Sequence, residues 1–224
     1  MIPPIAKEGF PIIGTVFGVA LAFGLLSFAT GGAAAQVLRT CALLGILAGA
    51  FCCYFFRDPE RMTVPDSAVL YAPADGTIID IRQIDEPHYL KGPSMRVSIF
   101  MSVFNVHVNR APCSGTIEFL HYNPGRFISA FKDKASDENE SMLAGIKCMD
   151  GSERIAVKFI AGLIARRIVF YKKLQDPVRQ GERINMIRFG SRVDLFCPPD
   201  AHIIVKRGDR VTAGVSVIAK LSGR

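Results

Sequence analysis

The sequence predicts a mainly β (β-rich α+β) fold in which a strand-built domain follows a pair of apolar helices. Three observations predict it. Before Arg57 the chain carries only Lys7, Glu8 and Arg39 as charged residues, although 21% of its 224 residues are charged. After Arg57 the pattern changes to short alternating stretches punctuated by Pro, Gly and Asp, as strands and tight turns require. Near the C-terminus, "MIRFGSRVDLF" (Met186 to Phe196) reads as one strand with a Gly-Ser pair in its middle.

The helices come first. Phe10 to Thr30 is 21 residues without a charge, and Thr40 to Phe56 adds 17 more. A hydrocarbon core of about 30 Å takes roughly 20 apolar residues as helix, so the first run fits and the second is at the short end. A cleaved signal peptide competes for the first run. Against it, Lys7 is offset by Glu8, the run exceeds an ordinary signal core, and a second apolar run follows at once. The expected division is an N-terminal membrane hairpin over residues 1–56, with segments at about 10–30 and 40–56, and a separate domain over residues 57–224. Arg57 and Arg61 follow the second run directly, which favours the cytoplasmic face of the cell (inner) membrane for that domain.

Residues 57–224 hold 25 basic and 19 acidic side chains, a net charge of +6. This balance suits an anionic membrane surface, to which each nearby Lys or Arg contributes about 1 kcal/mol. The basic residues are scattered and no aromatic-basic module accompanies them, so nucleic acid is not an expected partner. Six cysteines lack CxxC spacing and four histidines form no HxH or HExxH pair; neither a disulfide framework nor a metal site is expected.

In order, "FFRDPERMTVP" is a linker marked by Pro59 and Pro65, and "AVLYAPADGTIIDIRQID" gives a strand, a turn at Pro73 to Gly76 and a strand over Thr77 to Ile84. "MRVSIFMSVFNVHVNRAP" reads as one long or bent strand ending at Pro112, with "GTIEFLHYN" next. Gly125 to Gly145 is polar and charged, and a surface loop is expected there. "ERIAVKFIAGLIARRIVFY" mixes β-like and helix-like portions, and periodicity does not decide between them. "AHIIVKRGDRVTAGVSVIAKL" reads as two strands around a Gly-rich turn. Short strands at this spacing point to a barrel or sandwich.

Gly190-Ser191 has an ordinary reading as a bulge or turn. A nucleophile elbow needs GxSxG, and FGSRV does not supply it. The remaining reading is self-modification. A small residue before serine in a strained backbone lets the hydroxyl attack the preceding carbonyl to give an ester, and β-elimination with hydrolysis then leaves a pyruvoyl group. His107 in "FNVHVN" alternates with Val106 and Val108, so it can face a cavity while they face away; an ordinary structural histidine fits the same pattern. Asp75 in "PADG" fits a turn residue bonded to its own backbone.

Two resemblances rest on these stretches. "APADGTIIDI" and "VKRGDRVTAGVSVIAKL" look like the halves of a biotinyl/lipoyl-like barrel-sandwich domain, although the PADG turn lacks the lysine that such carriers modify. Much more of the chain is similar to the phosphatidylserine decarboxylase family, in its short, membrane-anchored, pyruvoyl-dependent form. "YFFRDPERMTVP", "APADGTI", "SVFNVHVNRAPCSG", "IAGLIARRI" and "MIRFGSRVDLF" match its motifs in order across residues 50–221.

The resemblance implies autocatalytic cleavage between Gly190 and Ser191, into a large β chain (residues 1–190) and a small α chain (residues 191–224) that remain together as a heterodimer. Ser191 would become the pyruvoyl cofactor, with no metal and no pyridoxal phosphate. Its carbonyl would take up the serine amine of phosphatidylserine in the membrane and draw off electrons as CO2 leaves, giving phosphatidylethanolamine. The same resemblance gives His107 to proton transfer or carboxylate positioning, and Asp75 to partnering that histidine during processing. Longer members carry a second histidine where this chain has Arg110, which could instead hold the substrate phosphate or carboxylate. Other branches carry Ser or Thr at the position of Arg192. Arg166 and Arg167 read equally as solvated charges or head-group contacts, and a homodimer is left open. The alternative from another class is a non-catalytic membrane-tethered barrel that binds lipid or a partner protein.

Overall fold

The computed structural model describes residues 4–125, 139–149, 153–162, 168–188 and 190–222. The chain divides into two compact units, Met1–Glu60 and Arg61–Arg224. In the first, a single 3-10 turn at Lys7–Gly9 leads into helix α1 (Phe10–Leu26), and α2 (Gly32–Phe55) follows. At 1.5 Å per residue they are about 26 and 36 Å long; counted with the preceding turn, Lys7–Leu26 (20 residues) is long and apolar enough to cross a membrane, as is Gly32–Phe55 (24 residues). Helix α2 starts at Gly32 rather than Thr40. Arg39 ends the uncharged run in the sequence, but the Ala, Gln, Leu and Arg around it are all good helix formers.

The second unit is built of β1 (Val69–Tyr71), β2 (Gly76–Glu86), β3 (Gly92–Met101), β4 (Val108–Arg110), β5 (Gly115–Asn123), β6 (Ser141–Cys148) and β7 (Arg154–Ala161). It continues with β8 (Ile168–Phe170), β9 (Pro177–Val178), β10 (Arg183–Ile187), β11 (Ser191–Cys197), β12 (His202–Ile203), β13 (Arg210–Val211) and β14 (Val217–Lys220). Among the described residues, eight strands form a curled sheet in the order β13-β2-β3-β11-β7-β6-β5-β9, and two three-stranded sheets, β1-β14-β12 and β4-β10-β8, complete the unit. The mainly β class expected from the sequence is the class observed. One apolar cluster, including Leu70, Ile99, Ile117, Val157, Phe159, Val193 and Ile218, draws on strands of all three sheets.

Three expectations for the strands change. The stretch read as one long strand to Pro112 is two strands in different sheets, β3 and β4. Between them Asn105 Oδ1 accepts hydrogen bonds from the Ser102 amide (2.9 Å) and hydroxyl (2.8 Å), a side-chain-closed turn that strand periodicity does not reveal. The stretch read as a loop over Gly125 to Gly145 is strand from Ser141 onward, because Met142, Leu143 and Ile146 pair into the sheet; residues 126–138 lie outside the described residues. The undecided "ERIAVKFIAGLIARRIVFY" contains two strands, β7 and β8, and the C-terminal pair of strands is three short ones, β12 to β14.

Candidate active site

The interruption in "MIRFGSRVDLF" is a crossing between sheets. β10 pairs with β4 and β8, whereas β11 pairs with β3 and β7, and the chain passes from one to the other through Gly190. Gly190 has φ +69°, the left-handed region that glycine enters without steric cost. A Cβ there would meet nothing within 4 Å, so the demand for glycine is conformational rather than spatial.

Ser191 opens β11 in a row across the sheet, opposite Met101 on one side and Ala161 on the other. It is fully buried, as are Val193 and Leu195 further along the same face. Its hydroxyl donates to the Met101 thioether at 3.2 Å, a weak acceptor for a buried O–H. The Met101 sulfur also receives the Asn109 side-chain amide at 3.5 Å, and Asn185 Nδ2 donates to Asn109 Oδ1 at 2.9 Å. Both asparagines are fully buried and stand opposite each other in the β4–β10 register. Sequence reasoning missed them. The available signal was an asparagine flanked by apolar residues in "INM" of β10 and one after the valine of "VNR" in β4.

His107 precedes β4 rather than lying on it, and Val106 and Val108 are buried with it. Its Nδ1 lies 3.0 Å from the Asn105 carbonyl, and its Nε2 accepts the Gly190 N–H at 3.3 Å. A carbonyl takes a proton from Nδ1 and an amide N–H needs a lone pair on Nε2, so the two contacts select the neutral Nδ1–H tautomer. Gly190, Ser191 and His107 are thus brought together.

Asp75 is not bonded to His107. Its carboxylate takes both Arg61 guanidinium nitrogens (2.6 and 2.7 Å) and the Ala213 N–H (2.8 Å). Thr77 pairs with Phe100 and Ser191 with Met101, so the PADG turn reaches the same end of the sheet as Ser191, with β3 between them. Adjacent strands lie about 4.8 Å apart, which puts roughly 10 Å of sheet between the two backbones. Gly76 is required where it is, because a Cβ would come 2.2 Å from the Phe100 carbonyl oxygen. Arg110 is also buried, and its guanidinium donates to the Gly181 carbonyl at 2.8 Å. Arg166 and Arg167 lie outside the described residues.

The other face of β11 is polar. Arg192 and Asp194 are fully buried and ion-paired at 2.7 Å, and Arg192 Nη2 reaches Ser98 Oγ at 2.9 Å. Asp80, Ser98, Asp194 and Lys158 share one row across four strands. Burial pushes the Asp80 carboxyl up, but the hydrogen bonds and charges of Arg82 and Arg96 outweigh it and hold the group below its ordinary value. At the far end of β11 the Cys197 thiol is pushed up to about 12, by burial first and by Asp200 second, so it is no nucleophile near neutral pH.

The phosphatidylserine decarboxylase family model matches residues 48–219. A phosphatidylserine decarboxylase proenzyme of Desulfotalea psychrophila is 42% identical over 219 residues, 97% of each chain. Those of Syntrophus aciditrophicus and Magnetococcus marinus are both 44% identical, over 212 and 221 residues, covering 95% and 98% of this chain and 95% and 96% of their own. The chain belongs to the phosphatidylserine decarboxylase family. The family match spans both the Gly190-Ser191 crossing and the His107 turn.

Proposed function

We propose that the chain is a self-processing decarboxylase that converts phosphatidylserine to phosphatidylethanolamine and CO2 at the membrane, using a pyruvoyl group made from Ser191. The observation that carries this reading is the junction: a glycine in left-handed conformation, then a fully buried serine, with a histidine lone pair on the glycine amide. The residues present suit the group. Ser191 already begins a strand held on both sides, and its hydroxyl rests on a thioether that competes weakly for it.

In the proposed processing, the Ser191 hydroxyl leaves Met101 and its oxygen bonds to the Gly190 carbonyl carbon. His107 Nε2 takes the hydroxyl proton, and the peptide C–N bond breaks as the Ser191 nitrogen is protonated. The ester so formed loses the Ser191 α-proton and releases Gly190 as a carboxylate terminus; water then displaces ammonia and leaves the pyruvoyl end. That group supplies a carbonyl electron sink for the pair released with CO2. His107 is assigned proton transfer in one or both stages, since the lone pair on its Nε2, which lies against the Gly190 N–H, can take up and return a proton. Asp75 is assigned a positioning role, fixing Arg61 and the residue-213 backbone at the same end of the sheet. The substrate role raised for Arg110 has less support, because its guanidinium is buried on a carbonyl. Strands β11 to β14 would belong to the small chain, and their pairing with β1, β2, β3 and β7 supports a heterodimer that stays together. Arg57 and Arg61, directly after the second apolar helix, support a cytoplasmic catalytic unit.

A denaturing gel of the purified full chain tests this. The wild type should run as a large piece and a piece of 34 residues (191–224), the small one with a pyruvoyl N-terminus by mass spectrometry. Ser191→Ala should remain whole and inactive. A wild-type chain that stays whole would sink the proposal in favour of a non-catalytic lipid-binding barrel.

A further inference from the structure

Arg188, three residues before Ser191, is a cation that the processing scheme leaves unused. It is half-buried, and among the described residues it makes no hydrogen bond or ion pair; its Nε is buried without an acceptor. Three other arginines of the unit hold groups of the chain. Arg61 holds Asp75, Arg110 holds the Gly181 carbonyl and Arg192 holds Asp194. Its position is equally specific. Met186 pairs with Val108, the Ile187 N–H reaches the His107 carbonyl at 3.4 Å, and the Gly190 N–H reaches His107 Nε2. Arg188 therefore lies within the stretch that wraps His107.

A guanidinium is a cation with five N–H donors, and a buried N–H without an acceptor is costly, so the site suits an anion that none of the described residues supplies. We infer that Arg188 binds the phosphodiester of the lipid head group, an inference that rests on the decarboxylase reading. The substrate carries two anions, and chemistry separates them. The carboxylate charge disappears as CO2 leaves, so an arginine bonded to it would stabilise the ground state more than the transition state and slow the reaction. The phosphodiester keeps its charge throughout, and its oxygens match the arginine fork. Contact there strengthens substrate binding without opposing the chemical step.

The test uses the full chain in detergent micelles with dihexanoyl phosphatidylserine, with rates referred to the cleaved fraction on a gel. Arg188→Gln should raise KM at least about tenfold, the loss falling mainly on KM, because a charge-assisted hydrogen bond is removed. Arg188→Lys should recover part of it. In the uncleaved Ser191→Ala background, direct titration with the same lipid should show about the same weakening on adding Arg188→Gln. Glycerophosphoserine should displace the lipid there far better than inorganic phosphate; equal displacement would mark a generic anion site and overturn the head-group assignment. An unchanged KM and affinity in Arg188→Gln, or a loss confined to kcat, overturns it too. These results differ from failure of the decarboxylase reading itself, in which the wild type is neither cleaved nor active.

Discussion

The two sides of the Gly190–Ser191 bond are held very differently. Downstream, all seven residues of β11 pair with β3, six of them also pair with β7, and every one is buried. Upstream, β10 is a five-residue strand in a small sheet, its register with β4 shifts once, and Gly190 then turns out of the strand with φ +69°. The difference teaches which side is meant to stay. A chain cut here would keep its new N-terminus fixed in a sheet, while the new C-terminus would end on a bend that can withdraw. The proposed chemistry needs that asymmetry, since the modified residue must not move and the carboxylate end must leave.

The strongest way to break the comparison acts on the upstream side. His107→Ala removes the acceptor of the Gly190 N–H, and loss of a general base costs about 10²- to 10⁴-fold. The chain should persist uncut on a gel over times that process the wild type. A cut but inactive product would move His107 to the decarboxylation step, and a cut and fully active one would remove it from the mechanism.

The next effect belongs to the downstream side. Asp194→Ala leaves the Arg192 guanidinium buried without its carboxylate, and breaking a buried pair this way costs about 3–5 kcal/mol. Thermal unfolding of the Ser191→Ala chain with and without the change should show a large fall in Tm. Replacing both partners, as Arg192→Met with Asp194→Leu, should restore most of it. If Asp194→Ala leaves Tm unchanged, the ion pair is not what anchors β11.

These residues also mark the limit of what could be read from sequence. The two helices were legible because hydrophobicity and length suffice for them. So was the break in the strand at Gly190-Ser191, because glycine punctuates strands. The polar side of "RVDLF" was not. Arg192 and Asp194 alternate with apolar residues as a solvent-facing edge would, yet both are fully buried. Their burial depends on Ser98, which is 94 positions from Arg192 in the chain and adjacent only through the β3–β11 register. The partners of Asp75 were hidden in the same way. Its partner Arg61 is near in sequence, but the backbone that completes its site is at Ala213. Local pattern locates turns and strands; the pairing of distant strands decides what their side chains meet.

A smaller effect tests the bend itself. Gly190→Ala adds a Cβ that touches nothing but must adopt a left-handed conformation, at about 1–2 kcal/mol. Processing should slow roughly 5- to 30-fold in a gel time course. An unaltered rate would show that this φ is not part of the reacting geometry.

The smallest effect concerns the polar row behind β11. Arg82 and Arg96 hold Asp80 at 2.6 and 2.8 Å and depress its pKa despite the opposing push of burial. For a carboxylate the sign is fixed. A depressed folded-state pKa means stability that is present above the unfolded value of about 3.9 and is lost as pH falls through the lower folded value. Asp80 is partly exposed and Arg82 more so, so solvent screening keeps the contribution at about 0–1 kcal/mol. Asp80→Asn should therefore lower Tm slightly at pH 7 and flatten the fall in Tm below about pH 4. Equal slopes in the two proteins would mean that Asp80 does not contribute to the acid sensitivity of the sheet that carries Ser191.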